Sequence, residues 1–474
     1  MGLVRVSRVP ETVPHRSLSW LLPRIAGLRP GSNRWHRSLY FVSSLLILLG
    51  SLLIPSGSGP RSEPSTLLLS TQRPVAVKAL YAMTPLGADR LRNAGAVEKA
   101  VGFLLSLQPD GSYILTSPGV DDVVHMDVAH AAIALAKVGR LAEAEAAMNW
   151  LLALMTTPGS ADQYGEAEFD GQTVRIDYAG SWYDHYHTSG EPKREMTRGR
   201  GEGVGMALIA IYAIYREDPS YLQATSGGAS VLDRVALAVR YLTSPSMQHP
   251  DGRFNHRPDY RVSFGEEAAR MSLGLKLAAT MLRESGDELT ARLADAGGNR
   301  GLSTLHSGEG LNYGMAFDYF AMGIWGLATP NEAREELRRL DEAGMVTSDG
   351  VRNWDWQVLN ADNWQDRLYF WIASQTIGPS QTFDWAIASI AAGRVADALE
   401  VERRWLRLQR DDGSFAGCYA LGLRLGIGPP NSYAAARFIL LERMLNDALA
   451  PGAPRAIITS PSAGTGNPGE RHAG

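Results

Sequence analysis

The chain has 474 residues, 45% of them hydrophobic, with one cysteine (Cys418) and a formal net charge of −4. That is enough material for one large core or two smaller ones, and it excludes an internal disulfide framework and any cysteine-based metal cage, so Cys418 reads as a small buried hydrophobe. Residues 1–37 hold seven Arg and one Glu, a local excess of +6 that leaves −10 on residues 38–474, a poor surface for nucleic acid.

Directly after Arg34-Trp-His-Arg37, residues Leu39 to Ile54 run without a charge and end at Pro55-Ser-Gly-Ser-Gly-Pro60. A spanning helix takes about 17–20 apolar residues, so this stretch reads as a short transmembrane signal-anchor or a long signal-peptide core. The positive-inside tendency keeps the basic flank in the cytoplasm and exports residues 56 onward, either tethered to the membrane through residues 39–54 or secreted. The expected organisation is a basic cytoplasmic tail at 1–37, an anchor or signal segment at 38–55 and a flexible linker at 56–75. A folded unit comes next at 76–448, then a disordered Ser-, Pro- and Gly-rich tail at 449–474.

Within the folded unit one phrase is written three times, as an apolar helical stretch, a Gln, then Asp-Gly and an aromatic residue. It reads Phe103-Leu-Leu-Ser-Leu-Gln108-Pro-Asp110-Gly111-Ser-Tyr113, then Met247-Gln248-His-Pro250-Asp251-Gly252-Arg-Phe254, then Trp405-Leu-Arg-Leu-Gln409-Arg-Asp-Asp412-Gly413-Ser-Phe415. Asp-Gly after an apolar periodic run stops a helix, because Gly takes the positive φ of a cap and Asp bonds its own backbone. A second link, Gly139-Arg140 and again Gly393-Arg394, joins one helical pattern directly to the next. The periodicity predicts helices near 93–107, 124–138, 141–155, 200–216, 230–243, 264–284, 287–296, 312–327, 331–343, 362–376, 381–392, 395–409 and 431–447. Strand alternation stands out only in Gln172 to Tyr178.

Some of these helices, such as 142–154 and 395–409, are amphipathic, whereas 203–215, 268–281 and 315–327 are apolar nearly all round and must be enclosed. Alternating outer and inner helices close into a two-layered ring, with the N-terminal ends of the inner helices opening on one face. A helical solenoid is the competing fold.

The phrase at 103–113, the helix from Asp127 to Val138 and the link Gly139-Arg140-Leu-Ala-Glu143-Ala resemble the six-hairpin glycosidase superfamily, in particular its glucoamylase-like branch. The resemblance covers residues 90–447 as a pattern of hairpins. It implies an all-α fold, an (α/α)6 toroid, and hydrolysis of a polysaccharide or oligosaccharide. Terpene cyclases and protein prenyltransferases are similar toroids, but the Asp-x-Asp-Asp and Asp-x-Cys patterns are absent here. The glucoamylase-like pattern carries its second carboxylate shortly before the last inner helix, where Gly417 to Ser432 has no acid, so Asp366 or Asp384 would have to replace it.

Glycoside hydrolysis needs two carboxyl groups, one protonated to assist the leaving oxygen. Acids stand near the starts of the apolar helices at Asp127, Glu202, Glu266 with Glu267, Asp318, Asp366 and Asp384, and Glu309 sits in the small-residue loop His306-Ser-Gly-Glu309-Gly-Leu-Asn312-Tyr313. First-turn acids also stabilise the helix dipole, which needs no catalysis. The expected pair is Glu309 as acid and Asp366 as base, with Asp127, Glu202 and Glu266 accepting sugar hydroxyls. Sugar faces stack on aromatic rings, which brings in Trp182, Tyr183, Asp184 and His185, then Tyr313, Trp354, Trp364 and Asp384 as substrate-binding candidates. His185-x-His187 has no third ligand at a telling distance, so neither metal nor cofactor is expected. Three other readings remain: a toroidal polysaccharide lyase using residues such as His125, Arg200 or Tyr313; a membrane-tethered glycan-binding scaffold; and a terpene-cyclase-like toroid.

Overall fold

The computed structural model describes residues 80–169, 171–307, 325–327, 329–342, 376–420 and 426–450, all within the unit Leu67–Gly474. The expectations for residues 1–75 and for the tail beyond 450 lie outside the described residues, as do Glu309, Tyr313, Trp354, Trp364 and Asp366. Among the described residues no helix is long and apolar enough to cross a membrane.

Eleven α-helices are described. In chain order they are α1 (Ala94–Ser106), α2 (His125–Lys137), α3 (Leu141–Ala153), α4 (Gly201–Tyr215), α5 (Val231–Leu242) and α6 (Gly265–Glu284), followed by α7 (Glu288–Ser307), α8 (Pro330–Glu342), α9 (Pro379–Ala391), α10 (Val395–Leu406) and α11 (Ser432–Ala448). Two of the all-round apolar segments, 203–215 and 268–281, lie in the inner layer, and 315–324 lies outside the described residues. Every residue of α4 is buried, which is where a helix with no polar stripe must lie. α9 packs on α11, α11 on α2, α2 on α4 and α4 on α6, while α1, α3, α5, α7, α8 and α10 back them from outside. The last helix thereby closes on the first hairpin. Three-residue turns join the helices at one face, 138–140, 285–287 and 392–394, and long loops feed the starts of the inner helices at the other.

The repeated phrase does more than stop helices. Gly111, Gly252 and Gly413 take φ of 69°, 98° and 86°, as the turn requires. Each Gln then reaches across to the next outer helix: Gln108 Nε2 donates to Glu143 O at 2.9 Å, Gln248 Nε2 to Gly297 O at 2.8 Å and Gln409 Nε2 to Ala96 O at 2.9 Å. Each also bonds the carbonyl of its own Gly, so one amide fixes a turn and a neighbouring helix together. The aromatic residue plugs the core. Phe415 is fully buried, 5.2 Å from the rings of both Phe383 and Phe438, a burial worth roughly 1.5–3 kcal/mol. A Gln248→Ala variant leaves the buried Gly252 carbonyl without its donor and cuts the ties to α7 through Gly297 and Arg300, and is expected to lose about 1–3 kcal/mol, read by urea unfolding.

Two expectations change. The helix predicted over 287–296 runs on to Ser307 through Gly297-Gly298, residues that read as a stop. A Cβ on Gly297 would stand 2.8 Å from Thr243 and one on Gly298 2.9 Å from Lys276, so these glycines allow α7 to lie close against the layer beneath. The all-α expectation also needs small sheets added in the loops. The one foreseen strand, β2 (Gln172–Asp177), pairs with the unforeseen β1 (Tyr164–Phe169), a hairpin whose residues are mostly exposed.

At the junction of α1, α10 and α11, Asn93 donates its amide to Glu402 at 2.5 Å and to both Glu442 oxygens at 3.1 Å. Burial, reinforced by the neighbouring Glu402 charge, pushes the Glu442 carboxyl from its ordinary 4.5 up to about 8. The folded chain therefore keeps a proton that the unfolded chain releases near 4.5. The stability this group contributes is complete below 4.5 and drains away as pH rises towards 8. A Glu442→Gln variant keeps a hydrogen-bond donor without the titration, so its Tm relative to wild type is expected to be higher at pH 8.5 than at pH 4.5.

Candidate functional site

The first turns of the inner helices gather acids and guanidiniums at the face fed by the long loops. Glu202 opens α4, Glu266 and Glu267 open α6, Asp384 lies one turn into α9 and Asp127 is the third residue of α2. Arg200, just before α4, lies 2.8 Å from Glu202 Oε2 and 2.9 Å from Glu267 Oε1, and His256 Nδ1 is 2.7 Å from Glu267 Oε2. Arg270, one turn below Glu266, touches both Glu266 and Glu202. Arg437 of α11 puts Nε 2.9 Å from Asp384 Oδ1 and donates from Nη2 to the Tyr433 hydroxyl at 3.0 Å, and Tyr433 in turn donates to Asp384 Oδ2 at 3.2 Å.

His130 completes this chain. Its Nδ1 lies 2.8 Å from the Met126 carbonyl and must donate to it, so Nε2 is left to accept from Arg437 Nη2 at 3.0 Å. Burial and the nearby Arg437 and Arg270 charges hold its pKa well below the ordinary imidazole value, in keeping with a neutral ring.

Glu266 differs from its neighbours. Its side chain is 32% exposed, against 3% for Glu202 and for Arg270. Burial, the Asp384 charge and the Glu267 charge push its carboxyl up to about 7, against the pull of Arg437 and Arg200. Asp384 is also raised by burial, but Arg437, Arg270 and Tyr433 oppose the shift and both of its oxygens are engaged. Asp127 is 8% exposed and burial lifts it to about 7, His185 opposing and Asp122 adding to the rise.

The aromatic loop lies beside this cluster. Trp182 is buried, with its indole N–H donating to Leu151 O at 2.7 Å and its ring stacked on His125, so the structure places it in the scaffold. Tyr183 is buried too, flanked by Arg194 and Arg198. The Asp184 carbonyl accepts from the His125 backbone N–H at 3.2 Å, and its carboxylate from the Thr197 hydroxyl. His185 is tied through Nδ1 to Asp122 at 3.0 Å and His187 through Nδ1 to Asp121 at 2.6 Å, each on a separate acid. Among the described residues no group of three or more His, Cys, Asp or Glu is arranged to hold a metal.

Asp127, Glu202, Glu266 and Asp384 thus share one face of the ring, together with Asp184 and His185. Arg270, Arg437, Tyr433, His256 and His130 belong to the same constellation and were not foreseen. A readable signal existed: Arg270 and Arg437 are guanidiniums flanked by apolar runs in inner helices, each one turn after a polar partner, Glu266 and Tyr433.

No protein-family description and no curated protein matches the chain. Solved structures do. A wild-type glycosidase is 14% identical, with a TM-score of 0.51 over 74% of this chain and 96% of its own. A glycosidase variant in complex with glucose is 15% identical, with a TM-score of 0.52 over the same shares. A bacterial glucoamylase complexed with acarbose is 12% identical, with a TM-score of 0.51 over 74% of this chain, which spans only 55% of that enzyme. The chain accordingly carries the α/α-toroid fold of these glycosidases, the fold its hairpin phrases imply.

Proposed function

We propose that this chain hydrolyses the glycosidic bonds of a polysaccharide or oligosaccharide at the face where its inner helices begin, with Glu266 as the proton donor. The observation that carries this is Glu266 itself: a carboxyl open to solvent for a third of its surface and raised to about 7, on a fold shared with glycosidases. A general acid has to hold a proton at working pH and stand where a leaving oxygen can reach it, and Glu266 meets both requirements. Asp384 is occupied by Arg437 and Tyr433, so its part is to raise Glu266 rather than to activate water. For the base we propose Asp366, as read from the sequence, with Glu309 the rival acid. The basic segment 1–37 and the apolar run 39–54 support export with the ring outside the cytoplasm.

The test is a release screen on the full chain against α- and β-glucans, chitin fragments, peptidoglycan and uronate polymers. It reads new reducing ends together with absorbance in the unsaturated-uronate band. Reducing ends lost in Glu266→Gln and in Asp366→Asn support the reading. Loss in Glu309→Gln with Glu266→Gln active moves the acid to Glu309, and an absorbance rise makes the chain a lyase. Tight glycan binding without cleavage makes it a scaffold.

A further inference from the structure

Four charged side chains form an arch across the boundary between α4 and α6. Its feet, Arg200 and Glu266, are about one-third exposed, and its crown, Glu202 and Arg270, is closed off at 3% each. The links run from Arg200 Nη2 to Glu202 Oε2, from Glu202 Oε1 to Arg270 Nη1, and from Arg270 Nη2 to Glu266 Oε1. Burying a guanidinium is unfavourable, and desolvation here draws Arg270 down to about 10. Such a group is out of place in an apolar inner helix unless its position serves something.

The backbone beneath it is set with little freedom. A Cβ on Gly205 would stand 2.7 Å from the Arg270 carbonyl oxygen, and one on Gly274 2.7 Å from the carbonyl oxygen of Gly205. The two helices therefore touch main chain to main chain at this level, which fixes the Arg270 Cα against α4 and brings Glu202 within its reach. With Nη1 anchored on one helix, the planar fork leaves Nη2 one direction, towards Glu266.

We propose that Arg270 is the positioning residue for Glu266: anchored to Glu202 on the neighbouring helix, it fixes the direction in which the partly exposed Glu266 carboxyl points and offsets the negative charges around it. Among the described residues, the charged groups facing Glu266 are Glu267 and Arg270 from its own helix, Arg200 from the start of α4, Asp384 from α9 and Arg437 from α11. Arg270 is the cation among them that contacts Glu266 directly. The role rests on the reading of Glu266 as proton donor, but its test does not.

The experiment is difference infrared titration of the Glu266 carboxyl in the full chain, the band being identified by its loss in Glu266→Gln, alongside kcat and KM against pH. In Arg270→Met the band is expected to titrate about one pH unit higher or more, and kcat to fall about 10–100-fold with KM little changed. Arg270→Lys keeps a charge without the fork, so it restores the titration and not kcat. Glu202→Gln leaves the guanidinium to Glu266 alone and moves the titration down. A folded Arg270→Met chain with an unmoved band overturns the proposal, as does activity that falls only in step with Tm while the pH profile stays in place. If Glu266→Gln retains hydrolysis, the proton-donor reading fails by itself, and the infrared shift still decides whether Arg270 holds the carboxyl.

Discussion

Glu266→Gln is expected to lower kcat on a cleavable glycan about 10²–10⁴-fold while KM and the unfolding midpoint stay close to wild type. The amide occupies the same volume beside Arg270 and removes only the transferable proton, so the loss belongs to the chemical step. The pH profile carries the sign. A general acid works while protonated, and burial with the Asp384 and Glu267 charges holds this one up to about 7. The wild-type rate should therefore be retained below pH 7 and fall about tenfold per unit above it, and this limb should be missing from the residual activity of the variant. Initial rates from pH 5 to 9 check both statements, and a basic limb that persists in Glu266→Gln would assign the proton to another group.

Asp384→Ala is expected to destabilise the ring by about 3–5 kcal/mol, measured by chemical denaturation. Arg437 is wholly buried, and Asp384 is the anion paired with it. Without that carboxylate the guanidinium keeps hydrogen bonds to Tyr433 and the neutral His130, neither of which carries a compensating charge. Removing both members, as in Asp384→Ala with Arg437→Met, should recover most of the loss, because the cost lies in the stranded charge and not in the missing pair. The single variant has a second effect. With the Asp384 charge gone, Glu266 should titrate lower, and the basic limb of the pH profile should move down with it.

Most of the described helices were readable from periodicity. α1 to α6 begin and end within a residue or two of the expected bounds, because their apolar spacing and Gly-containing stops act locally. Where the reading failed, a tertiary contact decided. Gly297-Gly298 looks like a terminator and is instead the flat surface that lets α7 lie against the inner layer. Gln108, Gln248 and Gln409 were seen as part of a repeated phrase, yet their bonds to the next outer helix depend on elements distant in sequence. The acids at the inner helix starts were legible because a charge before a long apolar run has few other uses. Which acid keeps a proton was not, since that depends on Asp384 lying 118 positions beyond Glu266 in the chain and beside it in space. Burial was not legible either: the Trp182 ring, prominent in the sequence, lies buried with its N–H on Leu151 O.

The bond from Gln409 to Ala96 spans 313 residues, and α11 lies against both α1 and α2. In time rather than space, the first hairpin to leave the ribosome waits for the last helix before its inner flank is covered. Contacts so distant in sequence form only after the whole intervening chain has been ordered, which slows folding. Until then α2, buried along nearly its whole length in the finished ring, presents an apolar side with nothing against it. The seam between the first and last hairpins is thus the step at which synthesis, folding and self-association compete.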